Sequence, residues 1–213
     1  MRSLEIVLYA DKVAPLPLAY NSFLQGALYS CWKDSFAALH DNGYAEGSTN
    51  FRLFTFSPLR GKNRVQDKKI TFGGAFSFEV RTLEEDLLDS LAANLANQGC
   101  MRIGWDTFPL VNLVSRDRLI FPEKALIKAV APISVHRSTE DGHSVYPDPF
   151  SSEFYDLVQL NLSRKVAAAG YDINAEIALT PDPETLKKRV TTFKGIHITG
   201  WEGDRKSTRL NSS

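Results

Sequence analysis

The chain has 213 residues, 43% of them apolar and 23% charged, with 25 basic and 25 acidic side chains. That length suits one large domain or two of about 100 residues each, and the composition is ordinary for a globular protein. It argues against a membrane span, because no apolar run reaches the ~18 residues a bilayer needs, and against a signal peptide, because Arg2 and Glu5 come too early.

Leu4–Tyr9 is a short β-rich run, closed by Asp11 and the Pro15/Pro17 pair. From Leu18 to Trp32 the apolar residues Phe23, Leu24, Ala27, Leu28 and Cys31 recur at helical spacing. Asp34-Ser35 reads as the cap of a second short helix carrying Phe36 and Leu39 and ending at Asn42-Gly43. Phe51, Leu53, Phe54 and Phe56 predict a strand. Ile70, Phe72, Phe76 and Phe78 predict another, with a bulge or kink at Gly73-Gly74. Leu83, Leu87, Leu88, Leu91 and Leu95 predict a helix closed by Gly99, and a strand follows within Phe108–Val114.

That order is β-α-β-β-α-β, the ferredoxin-like arrangement also found in RNA-recognition domains. The pattern begins again with a strand in Ala125–Val135, a helix in Pro149–Ala169 and strand material in Ile173–Leu179 and Val190–Trp201. The expected fold is therefore α+β, two ferredoxin-like domains in tandem, with residues 1–118 the first, 124–203 an incomplete second, and a helix and final strand lacking. Asp204–Ser213 (DRKSTRLNSS) reads as the translation of a short-read sequencing adapter and is expected to be a non-native tail outside the fold. Leaving out Asp204, Arg205, Lys206 and Arg209 takes the 25 basic and 25 acidic residues to 22 and 24, so any nucleic-acid site must come from local clustering. Cys31 and Cys100 lack a C-x-x-C partner and read as buried thiols of a reducing compartment, hence a cytoplasmic protein.

Three blocks carry more than topology: PLAYNSFLQGALYS (Pro17–Ser30), FAALHDNGY (Phe36–Tyr44) and FRLFTFSPL (Phe51–Leu59). AVAPIS (Ala129–Ser134), SSEFYDLVQLNL (Ser151–Leu162) and FKGIHITGWEG (Phe193–Gly203) follow in order. Together they resemble the CRISPR-associated endoribonuclease family, Cas six, that cuts repeat RNA into guide RNAs. The resemblance implies CRISPR repeat RNA as partner, no cofactor, and cleavage without a metal by attack of a 2′-hydroxyl on the adjacent phosphate. A 2′,3′-cyclic phosphate and a 5′-hydroxyl result. It also leaves open contacts with other subunits of a CRISPR effector complex, or with a second copy of the chain.

The family's catalytic histidine falls on His40, its tyrosine on Tyr29, and its lysine on Arg52. Imidazole exchanges a proton near neutral pH, whereas Arg52 departs from the family and can only stabilise charge; Lys62 could stand in for it. On one straight helix Tyr29 and His40 would lie about 16 Å apart at ~1.5 Å per residue, so a shared site requires a break near Lys33–Ser35. Each residue also fits a plainer role: His40 as a helix cap, Tyr29 as a core aromatic, Arg52 as a solvated strand charge. His136 and His143 flank a polar turn and fit a hairpin tip better than a metal site, and His197 fits an outward strand position. Gly26 within a helix suggests close packing or approach of RNA.

Two cationic clusters are candidates for RNA binding. One is Arg60, Lys62, Arg64, Lys68 and Lys69, read as a flexible loop from Gly61 and Asn63; the other is Lys187, Lys188 and Arg189, with Lys194 beyond. Two rival readings stay in play: a non-catalytic RNA-binding scaffold, and a tandem ferredoxin-like protein that binds a metabolite.

Overall fold

The computed structural model describes residues 2–11, 15–32, 44–46, 49–51, 53–117, 124–127, 131–171, 177–180, 186–193, 196–203 and 208–212. The chain divides into two units, residues 1–45 with 50–119, and residues 46–49 with 120–213.

In the first unit β1 (Ser3–Ala10) is the spine of an antiparallel sheet. Its alternation buries Leu4, Ile6, Leu8 and Ala10, as a half-buried strand of period two should. Along the same edge lies the two-residue β2 (Leu16–Pro17), and α1 (Asn21–Trp32) follows. The short pair β3 (Tyr44–Glu46) and β4 (Thr49–Phe51) precedes β5 (Phe54–Phe56). The hairpin of β6 (Arg60–Gln66) and β7 (Lys69–Thr82) comes next, then α2 (Glu85–Gln98), β8 (Cys100–Ile103) and β9 (Asp106–Arg116). β7 pairs with β1 on one edge and with β5 and β6 on the other, and β1 pairs with β9. The order β9-β1-β7-β5/β6, antiparallel throughout, is that of a ferredoxin-like sheet, with β8 added outside β9.

Both helices cover one face of this sheet. Leu24, Ala27, Leu28, Cys31 and Trp32 of α1 and Leu87, Leu88, Leu91 and Leu95 of α2 join Phe72, Phe76, Phe78 and Val80 of β7 in a single core. The Trp32 indole N–H donates to the Leu87 carbonyl at 2.8 Å, so the largest buried side chain leaves no polar atom unsatisfied. Gly99 ends α2 in the left-handed region at φ 64°, its N–H donating to Leu95 O at 2.9 Å.

The bulge expected at Gly73-Gly74 is present. Gly61 pairs with Phe76 but Asn63 with Phe72, so β7 carries two extra residues there, with Gly74 at φ 87°. The loop expected over Arg60–Lys69 is corrected: Arg60–Gln66 is a paired strand, and only Asp67 and Lys68 turn, at φ 51° and 58°. All of β6 is exposed, so it lacks the apolar alternation that marks strands in sequence. Its order comes from backbone pairing to β7.

The second unit holds β10 (Lys124–Ile127), the hairpin β11 (Arg137–Ser138) and β12 (Ser144–Val145), and α3 (Ser152–Ala168). After these come β13 (Ile177–Thr180), β14 (Leu186–Phe193), β15 (Ile196–Gly203) and β16 (Thr208–Ser212). Ser151 caps α3, its hydroxyl accepting from Phe154 N–H at 3.3 Å. The strand expected over Ala125–Val135 is described as β10 and as a bridge from Ile133 to Trp201, with 128–130 outside the described residues. The strand material expected in Val190–Trp201 is present as parts of β14 and β15, which pair as their own two-stranded sheet. Thr208–Ser212 runs between β10 and β13 as the middle strand of a three-stranded antiparallel sheet. Ladder hydrogen bonds use only main-chain groups, so a polar segment without apolar period can supply them. Gly200 lets Pro132 approach, since a Cβ there would lie 2.8 Å from Pro132 Cβ.

Candidate nucleic-acid interface

The sheet's two faces have opposite character. Away from the helices, Glu5, Ser77, Glu79, Arg81 and Arg116 line neighbouring positions of β1, β7 and β9. Arg116 reaches Glu5 at 2.7 Å and Arg81 reaches Glu79 at 2.9 Å. The hydrogen bond from Arg116, with another from Ser77, holds the Glu5 carboxyl below the usual carboxylate range. Burial works against ionisation of Glu79, but hydrogen bonds from Ser3 and Arg81 outweigh it and leave that carboxyl lowered too.

These acids are paired within the sheet, and Arg60 of the adjoining β6 adds its field to both Glu5 and Glu79. Arg60 stands opposite Ser77 and Arg64 opposite Thr71, with Lys62 alternating between them, so residues two apart share a face about 6.7 Å apart. At the turn Lys68 and Lys69 add two more cations. Among the described residues none of these five makes an ion pair. The start of the ribbon is pinned by a buried bond, Leu59 N–H donating to the Tyr20 hydroxyl at 3.0 Å.

The second cluster is different. Lys187, Lys188 and Arg189 are exposed on β14, yet Arg189 is bound to Glu202 of β15. Its charge is compensated within the hairpin. Lys194 lies outside the described residues.

Of the three residues expected to act chemically, Tyr29 alone is described; His40 and Arg52, and the break expected near Lys33–Ser35, lie outside the described residues, α1 being described as far as Trp32. Tyr29 is half-buried. Its hydroxyl accepts from Gln25 Nε2 at 3.0 Å, and its ring meets Phe54 edge-on at 5.8 Å and tilts against Trp32 at 6.5 Å. Gly26 is exposed with nothing within 4 Å of a Cβ built on it, which removes the close-packing explanation. His136 precedes β11 and His143 ends the turn before β12, closed by Thr139 N–H donating to His143 O at 2.8 Å, while exposed His197 lies 3.2 Å from Thr192 Oγ1 through Nδ1. Among the described residues no group of three or more His, Cys, Asp or Glu could hold a metal ion, and no helix is long and apolar enough to cross a membrane.

One exposed aromatic has no part in the sequence reading. Trp105, 79% exposed, sits in the two-residue turn Gly104-Trp105 between β8 and β9, its ring 5.1 Å from that of Phe23 on α1. The sequence signal was there in a Gly-X pair between two short β runs, the signature of a tight hairpin.

Helices on one face of an antiparallel sheet of this order, followed by a second unit of strands and a helix, and the likeness to solved structures of the same architecture define the class: an α+β protein of the tandem ferredoxin-like kind. The second unit carries the narrower assignment. Residues 116–208 match the family model described as "CRISPR associated protein Cas6, C-terminal". Among solved structures, "CRISPR associated protein Cas6" is 20% identical with a TM-score of 0.72, covering 100% of this chain and 88% of its own. "An RAMP protein binding different RNA substrates" is 16% identical with a TM-score of 0.81, covering 100% of this chain and 89% of its own. A Cas6 "product complex" is 15% identical with a TM-score of 0.65, covering 100% of this chain and 86% of its own. At such identities the likeness is one of fold. Among curated proteins nothing matches.

Proposed function

We propose that this chain binds CRISPR repeat RNA in the cytoplasm and cuts it without a metal, leaving a 2′,3′-cyclic phosphate and a 5′-hydroxyl. The observation that carries the RNA-binding part is the β6–β7 ribbon, whose cations Arg60, Lys62, Arg64, Lys68 and Lys69 lack ion-pair partners among the described residues. Phosphates are the natural counterions of such a row. Lys187, Lys188 and Arg189 of β14 join this proposal as a lesser contact, reduced by the Glu202 pairing. The match of residues 116–208 to a Cas6 family model supports the cutting part, as does a neighbour solved as a product complex.

In this reading His40 moves the proton. It takes the proton of the attacking 2′-hydroxyl or returns one to the 5′-oxygen that leaves. Arg52 stabilises the charge that develops on the phosphorane oxygens, a role a guanidinium fills without exchanging a proton. Tyr29, its hydroxyl held by Gln25, supplies a further hydrogen bond to the phosphate. The test compares wild type and His40→Ala on repeat RNA, following cleavage in gels and affinity by filter binding. Loss of cleavage with unchanged affinity is the expected result. Binding by wild type without cleavage would make the protein a non-catalytic scaffold.

A further inference from the structure

Two hairpin tips stand at the same end of the first unit's sheet. β1 pairs with β7 as far as Ala10↔Gly74 and with β9 as far as Leu8↔Leu110. Beyond those pairs β7 runs on to Lys69 and the Asp67-Lys68 turn, and β9 runs on to Asp106 and the Gly104-Trp105 turn. The β7 overhang is about five residues counted from Ala10 and the β9 overhang about four counted from Leu8, so the β7 tip reaches further along the sheet; the strands carrying them are two apart, roughly 10 Å at the usual strand spacing. Between them β2 follows the edge of β7 that β1 leaves, since Val65 of β6 holds the other edge at Ile70. Leu18 N–H donates to Lys68 O at 3.0 Å, and the chain then enters α1, where Phe23 meets Trp105.

The Trp105 tip is held in place without being covered. Gly104 has φ 66°, as a tight two-residue turn with glycine first requires, and its Cβ position lies 3.4 Å from the Phe23 ring. Phe23 in turn packs against the core. Arg102 bends over the turn, its Nε donating to Gly104 O at 3.2 Å. Trp32 is fully buried, whereas Trp105 shows 79% of its surface to solvent. The fold thus orients a large aromatic ring that it does not use for packing.

We propose that Trp105, backed by Phe23 and flanked by Arg102, is a base-stacking platform for single-stranded RNA whose phosphates run on to Lys68 and Lys69. The inference rests on the RNA-binding reading above and narrows it to unpaired RNA. Every base has a π-face that an exposed aromatic and a guanidinium plane can take, and the adjoining cations meet the backbone. A duplex keeps its bases stacked on each other and offers none to the ring.

The experiment titrates the full chain with a single-stranded oligouridylate and with a blunt RNA duplex, following tryptophan emission and affinity over a range of salt. Wild type is expected to show quenching by the single strand that Trp105→Leu loses, with affinity for the single strand falling about tenfold, as for one stacked base. The salt slope should stay the same in Trp105→Leu, while Lys68→Ala with Lys69→Ala flattens the slope and keeps the quenching. Trp105→Phe should retain most of the affinity. If wild type binds the single strand and Trp105→Leu binds within about twofold of it, the platform is refuted and RNA binding stands; the tip then serves packing or a protein partner. If wild type binds neither RNA, the RNA-binding reading itself fails. Circular dichroism checks that Trp105→Leu folds; should it not, quenching in wild type decides, and its absence on binding overturns the proposal.

Discussion

Tyr20 sets where the cationic ribbon begins. Burial pushes its phenol above the ordinary value, so the ring stays neutral, and its oxygen accepts the N–H of Leu59, the residue before Arg60. Tyr20→Phe keeps the ring and removes the acceptor, leaving a buried N–H unsatisfied. A loss of about 1–3 kcal/mol in chemical denaturation is expected; an unchanged midpoint would mean the bond is replaced by solvent. Glu5 makes a pH-dependent contribution. Because Arg116 and Ser77 hold its carboxyl low, its stabilisation is complete above the unfolded value of about 4.3 and fades as pH falls through the lower folded value. Glu5→Gln should therefore be less stable than wild type at neutral pH, with the difference shrinking in acid. Denaturation curves at a series of pH values check this, and parallel acid limbs would contradict it.

At the scale of the element, β6 depends on the absence of a side chain at one position. A Cβ at Gly61 would lie 2.8 Å from Phe76 Cβ and 3.0 Å from the Ala75 carbonyl, both parts of the strand it pairs with. Gly61→Ala must push β6 away from β7, at a cost of about 1–3 kcal/mol. Hydrogen exchange of the Arg60–Gln66 amides should accelerate while α2 stays protected; equal protection in both proteins would show that the strands absorb the methyl. The sequence pointed to a loop here through Gly61 and Asn63, and the Arg, Lys and Gln around them carry no apolar period to oppose it. Elsewhere period and element agree: Leu87, Leu88, Leu91 and Leu95 are the buried face of α2, and Leu4, Ile6 and Leu8 that of β1. Patterning is legible where burial is one-sided, and silent on a strand exposed at every residue.

For the whole molecule, a formal charge of zero means that RNA must be held by local fields. Neutralising Lys62 and Arg64 together should flatten the dependence of log affinity on log salt by about 1.4 for a single strand, the release expected from two phosphate contacts. Arg189→Ala should change it less, because Glu202 already compensates that charge. Affinity measured over salt for both variants checks the ranking, and equal slopes would remove the distinction between the two clusters.

Several features of this protein are properties of short stretches of chain, and the sequence by itself determined them. The β-α-β-β-α-β order, the apolar faces of α1, α2 and β7 and the glycine that ends α2 each depend on residues within a turn or two. What only tertiary structure decided depends on partners far away in the sequence. Arg60–Gln66 becomes a strand because β7 offers an edge, Arg189 loses its free charge to Glu202, and Thr208–Ser212 finds a place between β10 and β13. The placing of the Lys68 and Trp105 turns at the same end of a sheet is of the same kind. Backbone pairing and charge compensation are set by which groups the fold brings together, and no local period records them.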